Sequence, residues 1–87
     1  MTKDITLVEP ITVGGKEITT VTMRKPLVED MLAVEHIESQ MEREMRILAS
    51  ICGLNATLEE MVKWSAFAYL QLQKESQSFL PGSGKSS

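Results

Sequence analysis

The only glycine pair in the sequence, Gly14-Gly15, most constrains what this chain can fold into. On both sides of the pair, β-branched residues alternate with other side chains in the run ITLVEPITVGGKEITTVTM. Such alternation is typical of a strand with one buried face, and two adjacent glycines permit the positive φ angles of a tight hairpin turn. We therefore predict an antiparallel two-stranded β-hairpin over residues 4–24.

Two registers of this hairpin are compatible with the sequence. A two-residue loop, Gly14-Gly15, pairs Val13 with Lys16, whereas a three-residue loop that includes Val13 pairs Thr12 with Lys16. We favour the second because it gathers apolar side chains on one face and leaves the other mostly polar. The predicted apolar face consists of Ile5, Leu7, Ile11, Val21 and Met23, with Leu7 opposite Val21 and Ile5 opposite Met23. The predicted outer face consists of Val8, Thr12, Ile18, Thr20 and Thr22.

A heptad-like pattern follows Pro26, which ends the second strand. Apolar residues recur from Leu27 to Cys52 in alternating steps of four and three, except where Glu38 occupies the expected apolar position. The pattern predicts one helix over residues 27–52, roughly 40 Å long at ~1.5 Å per residue. This length exceeds what the core of so small a chain requires, so part of the helix is expected to project or to pack against another chain.

The boundary between two helices is marked by short capping signals. Gly53 is expected to end the first helix, with Leu54 as the hydrophobic contact of the C-cap. Thr57 and Glu60 have the spacing of a capping box, which predicts a second helix over residues 58–79.

These elements predict an α+β fold in which a two-stranded β-hairpin precedes an antiparallel two-helix hairpin. We expect residues 1–80 to form a single domain and residues 81–87 to be a flexible, disordered tail. The tail ends in GSGKSS, which resembles part of a phosphate-binding loop. However, Phe79 stands where that motif requires its first glycine, and too few residues follow to form a helix, so nucleotide binding is not expected.

Charge and composition exclude several classes of function. The chain has nine Lys and Arg against twelve Asp and Glu, a net charge of −3, and residues 27–52 alone carry six acidic and two basic side chains. Nucleic-acid binding is therefore not expected. The N-terminus lacks the apolar segment of a secretory signal, and the longest uncharged apolar-rich run, from Trp64 to Gln73, is ten residues. We expect a protein that stays in the cell and does not insert into a membrane.

Residues that could carry catalysis or bind a metal are scarce. His36 is the only histidine and Cys52 the only cysteine, so we expect a solvent-facing histidine and a buried thiol. The acidic residues Glu38 and Glu42 fit a solvated helix face, since Glu42 and Arg46 are spaced for an ion pair. We predict no enzyme activity, no metal and no cofactor.

The second predicted helix carries more apolar surface than its own packing stripe needs. Trp64, Phe67 and Leu70 lie on its other side, and burying each such side chain is worth roughly 1.5 to 3 kcal/mol. Two interpretations remain open. Either the β-hairpin covers this face inside the monomer, or the face is a docking surface for another chain.

Taken in order, the phrases ITLVEPITVGGKEITTVTMRKP, ICGL and SQSFL, with a helix before and after ICGL, resemble the small tail assembly chaperones of Mu-like and P2-like phages and prophages. The resemblance extends from about Ile5 to Leu80. Its most specific parts are the hairpin phrase and the Phe79-Leu80 pair. Members commonly carry Thr or Ser after the proline as a helix cap, where this chain has Leu27.

The resemblance implies a non-catalytic chaperone that binds the tape measure protein in the cytoplasm of the bacterial host and is absent from the mature virion. From the excess apolar surface we predict five partner-binding residues, namely Trp64, Phe67, Leu70, Ile47 and Ile51. The family often makes a longer product by −1 frameshifting, and Ser83-Gly84-Lys85 can be encoded as TCG GGA AAG, which contains a slippery heptamer. A frameshifted longer form is thus a candidate second partner.

A structural alternative is a helical oligomerisation module without a client. In that interpretation the heptad pattern of residues 27–52 forms a symmetric homodimer. A homo-oligomer is compatible with either function.

Overall fold

The structure, a computed structural model, describes residues 2–79 and confirms the α+β class. The strands and helices are β1 (Thr2–Val13), β2 (Lys16–Arg24), α1 (Val28–Leu32), α2 (Gln40–Ile51), α3 (Leu58–Met61) and α4 (Ala66–Gln77). The two strands form one antiparallel sheet. The predicted tail over residues 81–87 lies outside the described residues, and the single-domain prediction for residues 1–80 stays a prediction.

The hairpin turn uses both glycines of the pair. Gly14 and Gly15 have φ angles of 61° and 79°, and Val13 pairs directly with Lys16. Two consecutive positive φ angles define the primed turn that matches the right-handed twist of the flanking strands. The predicted three-residue loop is therefore wrong, and the two-residue loop is the one formed.

A four-residue β-bulge interrupts the ladder in β1. Between the pairs Ile11–Ile18 and Thr6–Thr20, four residues of β1 face a single residue of β2. Pro10 lies within this bulge, where its missing N–H removes no ladder hydrogen bond. The extra residues shift the register, so that Ile5 pairs with Val21.

The bulge preserves the predicted apolar face although the predicted pairs are wrong. All five predicted residues are buried, namely Ile5, Leu7, Ile11, Val21 and Met23. Ile18 is half-buried against the core and not on the outer face, because the two-residue turn places it opposite buried Ile11.

The predicted single helix over residues 27–52 is wrong. α1 ends at Leu32, and α2 starts only after Ser39, whose Oγ accepts a hydrogen bond from the Glu42 backbone N–H at 3.2 Å. This cap satisfies a backbone donor that an uninterrupted helix would have bonded to a carbonyl. The gap in the apolar pattern at Glu38 lies next to the break. The continuous heptad helix of the oligomerisation alternative is thus not formed.

The C-terminus of α2 has the predicted glycine cap. Gly53 has a φ of 65°, its N–H bonds to the Ser50 carbonyl at 3.0 Å, and the Leu54 N–H bonds to the Ala49 carbonyl at 2.8 Å. These two bonds define a Schellman motif, in which Leu54 packs against the core.

The predicted helix over residues 58–79 is also divided in two. The capping box is confirmed, because Thr57 and Glu60 exchange side-chain to backbone bonds at 3.2 and 3.3 Å. However, α3 ends after one turn, and Ser65 begins α4 by accepting the Phe67 N–H at 3.1 Å. Four short helices therefore replace the predicted two-helix hairpin.

One hydrophobic core joins the sheet to α2, α3 and α4. Its largest fully buried side chains are Ile11, Met23, Ile51 and Leu72. Among residues 2–79, α1 contributes no side chain to this cluster. Within the same residues, no helix has both the length and the apolarity that crossing a membrane requires.

Candidate functional site

Polar side chains fix α4 against β1. The Gln71 side chain donates to the Thr6 carbonyl at 2.9 Å and accepts from the Val8 N–H at 2.8 Å, so its amide takes the place of a neighbouring strand. The Trp64 indole Nε1 donates to the Thr12 carbonyl at 2.9 Å. The Gln71 contacts therefore hold α4 against β1, and the Trp64 contact holds the segment that precedes α4.

Three of the five predicted partner-binding residues are not free on the surface. Trp64 and Ile51 are buried, at 9 % and 1 % exposure, and Ile47 is half-buried against the core. The hairpin covers Trp64 because the bulged strand approaches the segment between α3 and α4 closely enough to accept its indole N–H. The excess surface predicted for Trp64 and Ile51 does not exist in the folded chain.

Phe67 and Leu70 remain exposed, at 68 % and 54 %. They are three residues apart on α4 and therefore project from neighbouring positions of the same helix face. Exposed Val8 lies on the strand next to this part of α4, because its N–H is bonded to the side chain of Gln71, one helical turn after Phe67. We call Val8, Phe67 and Leu70 the α4 surface. Lys74 follows Leu70 by one turn and is exposed.

A groove of about 780 Å³ opens between the turn end of β1 and the segment around α3. Its walls include Pro10 and Thr12 on one side and Glu60 and Lys63 on the other. The Gly15 N–H donates to the Glu60 carboxylate at 3.3 Å across one end.

A second exposed apolar cluster lies on α1. Three of its members lie on one face of this short helix, and the fourth is the residue that precedes the helix. Their exposed fractions range from 40 to 71 %, and the four are Leu27, Val28, Met31 and Leu32. We call these four residues the α1 surface. The heptad-like pattern of residues 27–52 does not predict this surface, because it places Leu27 on the seam of one long helix. The spacing of Val28, Met31 and Leu32 was the available signal.

An ion pair holds α1 to the end of β2. The two terminal nitrogens of Arg24 each donate to one carboxylate oxygen of Asp30 at 2.8 Å, and the Leu27 N–H donates to the same carboxylate at 2.8 Å. Hydrogen bonds from Arg24 and then from Leu27 hold the pKa of buried Asp30 below its ordinary value, against the opposing effect of desolvation. Asp30 thereby performs the capping that Leu27 cannot provide.

The comparison with known families decides the identity. A family model described as "Phage tail assembly chaperone proteins, E, or 41 or 14" matches residues 4–81. The chain belongs to this family. Comparison with curated proteins and with solved structures gave no match. A tail assembly chaperone acts in the host during assembly and has a tail protein as its partner.

Several titratable side chains of the chaperone serve its own fold. Glu42 pairs with Arg46 at 3.0 Å, Glu44 accepts from the Tyr69 hydroxyl at 3.3 Å, and His36 is exposed. Burial, followed by the charge of Glu44, raises the pKa of Tyr69. Within residues 2–79 no three side chains of His, Cys, Asp or Glu are grouped so that they could hold a metal ion.

Cys52, at the end of α2, is a buried free thiol. Its burial raises its pKa to about 11, because the thiolate would lose its hydration. A thiol in this state is a poor nucleophile.

Proposed function

We propose that this chaperone binds the tape measure protein in the host cytoplasm during tail assembly, without catalysis, and that Phe67 and Leu70 form the centre of the contact. The observation that carries the proposal is the exposure of Phe67 at 68 % on a helix that is fixed to β1. Aromatic side chains commonly dominate binding energy at protein interfaces. The cost of ordering this surface is low because Gln71 already holds α4 in place.

The arrangement of the α4 surface favours a helical client. Phe67 and Leu70 form a short apolar ridge that fits between side chains of an amphipathic helix. Exposed Lys74 extends the ridge by one turn, and within the described residues it takes part in no ion pair. We therefore propose a client helix whose apolar stripe is flanked by acidic residues near Lys74.

Co-expression of the chaperone with the tape measure protein tests this function. Phe67→Asp and Leu70→Asp should each abolish the soluble complex, because a carboxylate would be buried without a partner in the interface. Gln40→Asp is the matched control: Gln40 is exposed at the first position of α2, where an acidic side chain is favoured. Trp64→Asp is not a suitable test, since Trp64 lies in the core and its loss would unfold the chain.

The co-expression experiment can contradict either the proposed contact residues or the proposed client. A soluble complex that both α4 variants retain would contradict the proposed contact residues. A wild-type chaperone that forms a complex with other tail proteins but not with the tape measure protein would contradict the proposed client.

A frameshifted longer form also stays a prediction. The residues concerned, Ser83 to Lys85, lie outside the described part of the chain. The nucleotide sequence of those three codons tests the idea, because codons without a slippery heptamer would remove it.

A further inference from the structure

We infer that the α1 surface is a second docking site, which binds an amphipathic helix whose apolar stripe is flanked by Lys or Arg. This inference is independent of the client proposed for the α4 surface. Val28, Met31 and Leu32 are more than half exposed, and α1 adds nothing to the core cluster of the described residues. Three large apolar side chains on one helical turn are therefore left in water, where each loses the burial free energy that a partner would supply.

The charge around the α1 surface defines the chemistry of the partner. Glu29 lies on α1 and Glu35 and Glu38 follow it in the chain, and none of the three forms an ion pair within residues 2–79. Lys25, an exposed cation, precedes Leu27 by two residues. Arg24 is paired with Asp30. Arg43 donates to the backbone carbonyl of Glu38 and not to its carboxylate. Three carboxylates against one lysine near these apolar side chains favour a partner with cations beside its own apolar stripe.

The geometry of α1 favours a helix as the occupant. Residues at positions i, i+3 and i+4 form a compact knob that fits the groove of another helix. The bidentate Arg24–Asp30 pair orients this turn before any partner arrives. Met31 can adjust its unbranched side chain to the shape of the partner.

The two exposed surfaces differ in the sign of their nearest charges. On α4, Lys74 follows Leu70 by one turn, whereas three carboxylates and one lysine, Lys25, lie near the α1 surface in the chain. A helix suited to one is therefore poorly suited to the other. This difference separates the present inference from the proposed contact at Phe67.

The inference can be tested with the chaperone and two synthetic helical peptides. Both peptides carry the same leucine stripe, which is flanked by lysines in one peptide and by glutamates in the other. Fluorescence anisotropy should show that the lysine peptide binds at least about tenfold more tightly, and that added salt weakens its binding. The double substitution Met31→Ser with Leu32→Ser should abolish binding. The double substitution Glu35→Lys with Glu38→Lys should reverse the preference, and Phe67→Asp should change neither affinity.

Circular dichroism of each variant establishes that the fold is intact, and both serine substitutions are at exposed positions. Equal affinity for the two peptides, or binding that survives the Met31/Leu32 substitutions, would overturn the inference. So would loss of binding in Phe67→Asp, which would place the peptide on α4. Self-association of the wild-type chain that the Met31/Leu32 substitutions abolish would make a second copy the occupant and would also overturn it.

Discussion

The guanidinium of Arg24 meets the carboxylate of Asp30 in a bidentate pair, with both N···O distances at 2.8 Å. Arg24 is the last residue of β2, and Asp30 lies within α1. Asp30 is almost fully buried, whereas the Arg24 side chain is about one-third exposed. The pair connects the sheet to the only helix that lies outside the core cluster of the described residues.

Removal of the Asp30 charge should destabilise the chain. We expect Asp30→Asn to lower the free energy of unfolding by roughly 1 to 2 kcal/mol at pH 7, a value reduced from that of a fully buried pair because Arg24 is partly exposed. Urea denaturation measures the change. Glu29→Gln, on the same turn but without an ion pair in the described residues, is the control and should differ from wild type by less than about 0.5 kcal/mol.

The same pair predicts a dependence on acid. Because the pKa of Asp30 is lowered in the folded chain, the unfolded chain takes up its proton first as the pH falls. The stabilisation is therefore present above the ordinary Asp pKa of about 3.9 and is lost as the pH falls through the lower folded value. The difference in stability between wild type and Asp30→Asn should shrink over this window. A difference that stays constant from neutral to strongly acidic pH would refute the role of the charge.

The break before α2 should depend on Ser39. Ser39→Ala removes the acceptor of the Glu42 N–H, and we expect a loss of about 1 kcal/mol, within a range of roughly 0.5 to 2. Ser50→Ala, at an exposed position inside α2, removes a hydroxyl of the same kind without a cap. Thermal unfolding of both variants measures the contrast. If the two variants had equal stability, the cap would not be what positions the start of the helix.

The turn at Gly14 should tolerate asparagine but not valine. A Cβ at this position meets no atom within 4 Å, so the cost arises from the φ of 61° and not from crowding. Asparagine visits this region readily, whereas a β-branched residue does not. We expect Gly14→Asn to be within about 0.5 kcal/mol of wild type and Gly14→Val to lose roughly 1 to 2 kcal/mol. Comparable melting temperatures for the two variants would contradict this explanation.

The thiol of Cys52 should react slowly with thiol-specific reagents until the chain unfolds. With a pKa of about 11, only on the order of one thiol in a thousand is ionised at pH 8, and burial limits access further. A thiol-specific reagent should react slowly in buffer and rapidly in concentrated urea. Rapid labelling of the native chain would show that the end of α2 opens frequently.

Local signals in the sequence predicted local structure well. The glycine pair marked the turn, Gly53 and Leu54 marked the Schellman motif, and Thr57 with its partner three residues later marked the start of α3. Each of these features depends on the conformation of a few neighbouring residues. Their formation therefore depends little on how distant parts of the chain pack.

The continuity of the helices could not be read from apolar periodicity, which reports the face of a helix and not its ends. Ser39 and Glu42 have the spacing of a capping box, and this was the signal that could have located the start of α2. The site was harder to predict. Trp64 is buried because its indole reaches the Thr12 carbonyl, 52 residues away, beside a bulge that no short sequence pattern announces.

The attachment of α4 to the sheet makes the two edges of the sheet unequal. Gln71 and Trp64 occupy backbone groups of β1 that an added strand would use, so a foreign strand is obstructed at that edge. Within the described residues β2 is the other edge of the sheet. Any strand that paired with the described part of this sheet would therefore meet less obstruction along β2 than along β1.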